Sequence, residues 1–216
     1  MSGPDIVNSI AGLLIITSIL VVDARHPTRA ALFYSLQSLV LVSVLLALAT
    51  VSHAPQLYLW AATAFGTKVV LTPAILYRAL RRFDQSQSLP GIIGTPGSIL
   101  LAAVIVTVAV FAVMPIRLPQ AQAFKPALAI SLAHFFLGLG CIITQRNILK
   151  QIFGYCLMEN GSHLTLALLA NQAPEVVEIG IATDAIFAVV VMTFIATRIE
   201  SVLHSLDNRQ LTTLRG

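Results

Sequence analysis

Two neighbouring stretches decide the fold: residues 148–170, ILKQIFGYCLMENGSHLTLALLA, and residues 174–199, PEVVEIGIATDAIFAVVVMTFIATRI. At 1.5 Å per residue each is long enough to cross a hydrocarbon layer of about 30 Å as a helix. Each carries an acid near its middle, Glu159 in the first and Asp184 in the second. Ionisable groups at that depth are costly and mark ion or proton pathways by default. Lys68 stands at the centre of a third such stretch.

The rest of the chain is of the same kind. Apolar residues make up 57% of it, charged residues only 10%, and mean hydropathy is +0.88. A soluble domain carries about a quarter charged residues, so the expected fold is all-α, a polytopic transmembrane helical bundle. Breaks at proline, glycine and charge give seven spans: 5–23, 29–52, 57–82, 97–115, 126–144, 148–170 and 174–199. The first follows a start without a positive region or cleavage site and reads as a retained helix. Little length is left for a soluble domain, and no cofactor or metal is expected in this chain. Cys141 and Cys156 read as buried, inert thiols.

Basic residues set the expected orientation. Arg25, Arg29, Arg78, Arg81, Arg82, Arg146, Lys150, Arg198, Arg209 and Arg215 fall on one set of alternate connections and the C-terminal tail, whereas Arg117 and Lys125 fall on the other. The positive-inside rule then places the N-terminus outside and the C-terminus in the cytoplasm. The net charge of +4 reports that bias and the anionic inner leaflet, with no sign of nucleic-acid binding.

The polar stretch from Asp84 to Gly91 divides the chain. We expect a three-helix N-terminal part (1–85), a linker with the fourth span (86–124), a second three-helix part (125–200) and a cytoplasmic tail (201–216). The two three-helix parts are alike at an offset of about 116, which sets Lys68 against Asp184.

The central ionisable groups suggest chemistry. Burial favours the neutral form of any such group and a neighbouring opposite charge restores the charged form. A pair of Lys68 with Glu159 or with Asp184 would therefore be switchable. His134 in span five and Gln37 in span two are placed to extend a hydrogen-bonded chain through waters, and Glu178 to form an exit for protons. Against this, Glu159 opens the polar patch Asn160-Gly161-Ser162-His163, which also suits a helix-packing interface. His134 also fits a buried histidine bonded to a neighbouring helix. Nucleotide-binding glycine loops, C-x-x-C pairs, H-E-x-x-H and catalytic triads are absent from the sequence.

The back part carries Arg146-Asn147 at the start of span six, Gly154, Met158 and Asn160 within it, and the central acid of span seven. In these it resembles the K subunit of respiratory complex I and the C subunit of multisubunit cation/proton antiporters. With four helices in front and the run Pro174-Glu175-Val176-Val177-Glu178-Ile179-Gly180, the whole chain resembles the hydrogenase-4 membrane component E family, of formate hydrogenlyase type. One departure stands out: the family position two residues after the glycine holds a carboxylate, whereas here it is Cys156, with Glu159 three residues further on. The resemblance implies a non-catalytic, multi-pass subunit in a prokaryotic inner membrane. It also implies antiporter-like and quinone-site-like membrane partners, and peripheral partners that hold a [NiFe] centre and iron-sulfur clusters. A subunit of a sodium/proton antiporter without redox partners, and a structural membrane anchor, remain as alternative readings.

Overall fold

The structure is a computed structural model that describes residues 2–81, 91–117 and 119–209. Its helices are α1 (Gly3–Asp23), α2 (Pro27–Val51), α3 (Gln56–Ala64), α4 (Thr72–Leu80), α5 (Thr95–Val113), α6 (Lys125–Thr144), α7 (Ile148–Leu169) and α8 (Glu175–Leu203). A π-helical segment, Phe65–Leu71, joins α3 to α4, so the third span runs unbroken from Gln56 to Leu80. A 3₁₀ turn, Pro119–Phe124, precedes α6. Six spans are long and apolar enough to cross a membrane. At 22 residues, α7 is about 33 Å long, sufficient to make a seventh; its polar middle is what lowers its hydropathy. Among the described residues there is no strand, and the chain is a multi-pass membrane protein.

Local chemistry fixes the helix ends. Ser2 and Asp5 form a reciprocal capping box on α1, and the Asn147 side chain accepts from Leu149 N at 2.9 Å to cap α7. Pro27, Pro96 and Pro126 occupy first turns, where a missing N–H costs nothing. Pro73 is different. It has no N–H to offer the Val69 carbonyl one turn back, and its ring crowds that group. The widened π turn lies immediately before it, and Ser35 Oγ donates to Val69 O at 3.2 Å. The span expected over 57–82 is thus present, with a π turn inside it.

The tightest packing joins α6 to α7. A Cβ at Gly138 would collide with the backbone at Met158 N and Gly154 O. One at Gly161 would lie 2.5 Å from Phe135 N and 2.9 Å from Ser131 O. Only glycine allows these backbones to approach so closely.

Three of the hydrogen bonds between early and late stretches of the chain are spaced almost alike, while others range from 91 to 128 residues. Asn8 Nδ2 donates to Ala123 O (3.0 Å), Ser18 Oγ meets His134 Nδ1 (2.7 Å) and Thr63 Oγ1 donates to Glu178 (2.6 Å), spaced by 115, 116 and 115 residues. Partner groups therefore lie at matching depth, with α1 beside α6 and α3 beside α8. The basic ends of both parts consequently gather at one end of the bundle.

At that end one expectation changes. Lys150, assigned to a connection, lies in the first turn of α7 and is buried; its Nζ donates to Val22 O at 2.9 Å. Gln145 Nε2 donates to the same carbonyl at 3.0 Å, so both satisfy the C-terminal end of α1. α8 continues to Leu203. Beyond it Ile148 N donates to Leu206 O (3.1 Å) and Asn208 N to Arg146 O (3.0 Å), docking the chain on the α6–α7 turn. Arg82, the polar linker from Asp84 to Pro90 and the last residues, Arg215 included, lie outside the described residues. Cys141 and Cys156 are free and buried.

Candidate functional site

The π segment brings Lys68 into the bundle with 1% of its surface exposed. Its ammonium group pairs with Glu159 Oε2 and donates to Asn160 Oδ1 at 2.9 Å. Of the two partners considered for Lys68, the structure selects Glu159.

From Asn160 the bonding continues across the bundle. Asn160 Nδ2 donates to Gln37 Oε1 at 2.8 Å, with Ser38 Oγ at 3.4 Å. Gln37 Nε2 lies 3.0 Å from His134 Nε2, and His134 Nδ1 lies 2.7 Å from Ser18 Oγ, which donates to Leu14 O. The order of donors assigns the tautomer: His134 Nε2 accepts from Gln37, leaving the proton on Nδ1 for Ser18. Gln37 and His134 thus connect by direct side-chain bonds instead of waters.

Every donor in this chain points away from Lys68, and the last acceptor is a backbone carbonyl. Two of the links are amides, which do not readily take up and release a proton. The arrangement holds the lysine in place and is poorly suited to carrying protons off towards α1.

The other side of Glu159 is open. Its side chain is 13% exposed, while Oε1 is buried and receives no hydrogen bond from the protein. It lines a groove of about 330 Å³ between α7 and α8, together with Tyr155, Ser162, His163 and Asp184 and the apolar Met158, Leu166 and Ile181. Asp184 is exposed on α8 and makes no hydrogen bond or ion pair among the described residues. It shares the groove with Glu159, and Lys68 does not reach it.

A second polar pair lies one turn along α7. His163 Nε2 is 2.8 Å from Glu178 Oε2, with both side chains at most 1% exposed. The distance is that of a hydrogen bond, but the alignment is not, and neither atom counts as bonded on angular grounds. Thr63 Oγ1 donates to Glu178 Oε1 at 2.6 Å, and Trp60 packs on the imidazole with ring centroids 5.6 Å apart. Glu178 is therefore a buried, partnered carboxylate at the start of α8.

The sequence reading gave no individual role to Asn160, His163, Ser18 or Thr63. One signal existed for His163, which falls four residues after Glu159 on the same helix face. Ser18 and Thr63 carry no signal of their own, being ordinary small hydroxyls in apolar helices.

Residues 126–216 match the family model for NADH-ubiquinone/plastoquinone oxidoreductase chain 4L. Hydrogenase-4 component E of Escherichia coli K12 is 52% identical over 216 residues, covering all of both chains, and the protein of that name in Shigella flexneri matches equally well. An uncharacterized protein of Mycobacterium tuberculosis is 23% identical over 212 residues, 97% of this chain and 96% of its own length. No solved structure matches.

Proposed function

The chain belongs to the hydrogenase-4 component E family, and on that premise we propose that it is an integral subunit of a formate-linked [NiFe] hydrogenase complex in the prokaryotic inner membrane. In this reading it couples redox chemistry in a peripheral arm to movement of protons or ions across the bilayer. The [NiFe] centre and iron-sulfur clusters belong to partner subunits, and antiporter-like and quinone-site-like subunits adjoin it in the membrane. The N-terminus lies outside and the basic end of the bundle faces the cytoplasm.

The observation that carries the reading is the Lys68–Glu159 pair. A lysine and a carboxylate buried near mid-membrane are expensive unless matched. Here the lysine is fixed by an ordered chain of donors, while the acid lines a groove and one of its oxygens is buried without a protein donor. A change of charge or structure at the membrane interface shifts the balance between the paired carboxylate and its protonated form, and so binds or releases one proton. Asp184, on the same groove but turned outward, is placed to pass that change to a neighbouring subunit.

Two measurements test this. Purification of the tagged subunit from anaerobic cells, with its partners identified by mass spectrometry, should recover a [NiFe] large subunit and iron-sulfur proteins; antiporter subunits alone would move the function to ion exchange. In membrane vesicles holding the complex, Glu159→Gln should leave hydrogen chemistry measurable and abolish ion movement. Undiminished ion movement would remove the pair from the mechanism.

A further inference from the structure

Besides the His163 Nε2 and Glu178 Oε2 contact, two polar atoms on one side of α7 have no hydrogen bond from the protein. Glu159 Oε1 is one and His163 Nδ1 is the other, and both residues line the same groove. Four residues separate them, a rise of about 6 Å along the same face of the helix. Buried polar atoms are rarely left unsatisfied, and a roomy polar site is commonly bridged by water. Beyond His163, Nε2 stands 2.8 Å from Glu178 Oε2, near the Pro174 end of α8. On the opposite side of Glu159 the bonds run through two amides and end at the Leu14 carbonyl.

We propose that His163 and Glu178 form the outward branch of the proton path, taking protons from Glu159 through water in the α7–α8 groove. The inference rests on the coupling reading above and names the route by which the proton leaves. Protonated Glu159 gives its proton from Oε1 to a groove water, which passes one to His163 Nδ1. The imidazole releases the proton on Nε2 to Glu178 Oε2, for which a small ring rotation brings the 2.8 Å contact into line. Glu159 is left as a carboxylate paired with Lys68, Glu178 as a neutral acid, and His163 as the neutral Nδ1–H tautomer. Rotation of the imidazole against the Trp60 face turns the remaining N–H towards Glu178 and resets it without returning the proton. Thr63 holds the second oxygen of Glu178, which stays in place while the ring turns. Asp184 and Tyr155 also face the groove and set the field in which its water transfers the proton.

The test uses the assembled complex in inverted membrane vesicles, with hydrogen production and ion movement followed together. His163→Gln and Glu178→Gln keep size and polarity but remove uptake and release of a proton. Each should cut ion movement on the order of a hundredfold, as expected for loss of a positioned acid or base, while the amount of assembled complex is unchanged. The double variant should be no worse than either single one. His163→Gly should recover ion movement when imidazole is added, a response that a packing role would not give. Should His163→Gln fail to accumulate, Glu178→Gln decides at the far end of the pair. Full ion movement in the histidine and Glu178 variants, with Glu159→Gln inactive, would overturn the outward branch and leave the coupling reading standing. Full ion movement in all three would overturn both.

Discussion

Replacing Lys68 by methionine should damage the protein more than replacing Lys68 and Glu159 together by apolar residues. The lysine is 1% exposed and supplies both the ionic partner of Glu159 Oε2 and the bond to Asn160 Oδ1. Since Oε1 has no protein donor, Lys68→Met leaves the whole carboxylate unpaired, at about 3–5 kcal/mol for breaking a buried pair from one side. In Lys68→Met/Glu159→Leu no charge remains, and the residual loss is the bare Asn160 carbonyl, about 1–3 kcal/mol. The bare Asn160 carbonyl is common to both variants and cancels, so the double variant should be the more stable by about 4 kcal/mol, the middle of the range for the unpaired carboxylate. At roughly 2–4 °C per kcal/mol for a chain of this size, the gap is about 8–16 °C. Heating the fluorescently tagged complex in mild detergent, followed by size-exclusion chromatography, reads it directly. If the single variant matches the wild type, or the double variant melts lower than the single, the pair is not the buried, one-sidedly supported contact argued for here.

Three further outcomes are expected. Gly161→Ala places a Cβ 2.5 Å from Phe135 N and must part α6 from α7, lowering stability by about 1–3 kcal/mol; Gly12→Ala, with nothing within 4 Å, is the control and should not lower the melting temperature. Asn147→Ala removes the α7 cap for about 1 kcal/mol and loosens the turn on which the tail docks, so limited proteolysis should cut near residue 206 sooner; unchanged cleavage would separate the two. Asp184→Asn should leave assembly and hydrogen chemistry measurable but abolish ion movement, and retained pumping would rule Asp184 out as the relay to a neighbour.

The spans were legible because crossing a bilayer imposes length and apolarity on every helix. The expected 126–144 and 148–170 differ from α6 and α7 by a residue at one end. Span seven was read as ending at 199, whereas α8 runs on to Leu203; hydropathy marks where the membrane stops, not where the helix does. The π segment was invisible, since it alters backbone hydrogen bonding without a change of composition; Pro73 was its only trace. Glu159 and Lys68 stood out as charges in apolar surroundings, but their pairing depends on the rotation of two helices 91 residues apart in sequence. Gln37 and His134 were recognised as polar and buried, while their direction of donation, which argues against a conducting role, exists only in three dimensions. Glu178 was singled out as an exit for protons, but its pairing with His163 was missed because the histidine had a local explanation in the polar patch after Glu159.

Asp184 has a consequence for the life of the newly made chain. Before any neighbour arrives, the outer face of α8 meets lipid with Phe187 and Phe194 as well as this carboxylate exposed. An aspartate in mid-bilayer disfavours insertion by about 2.5–3.5 kcal/mol, a cost borne by the solitary subunit and relieved when another protein covers it. The residue thus acts as a mark of incompleteness. Unassembled copies should turn over faster than copies in the complex, and the order in which subunits are added should favour whichever one covers α8 first.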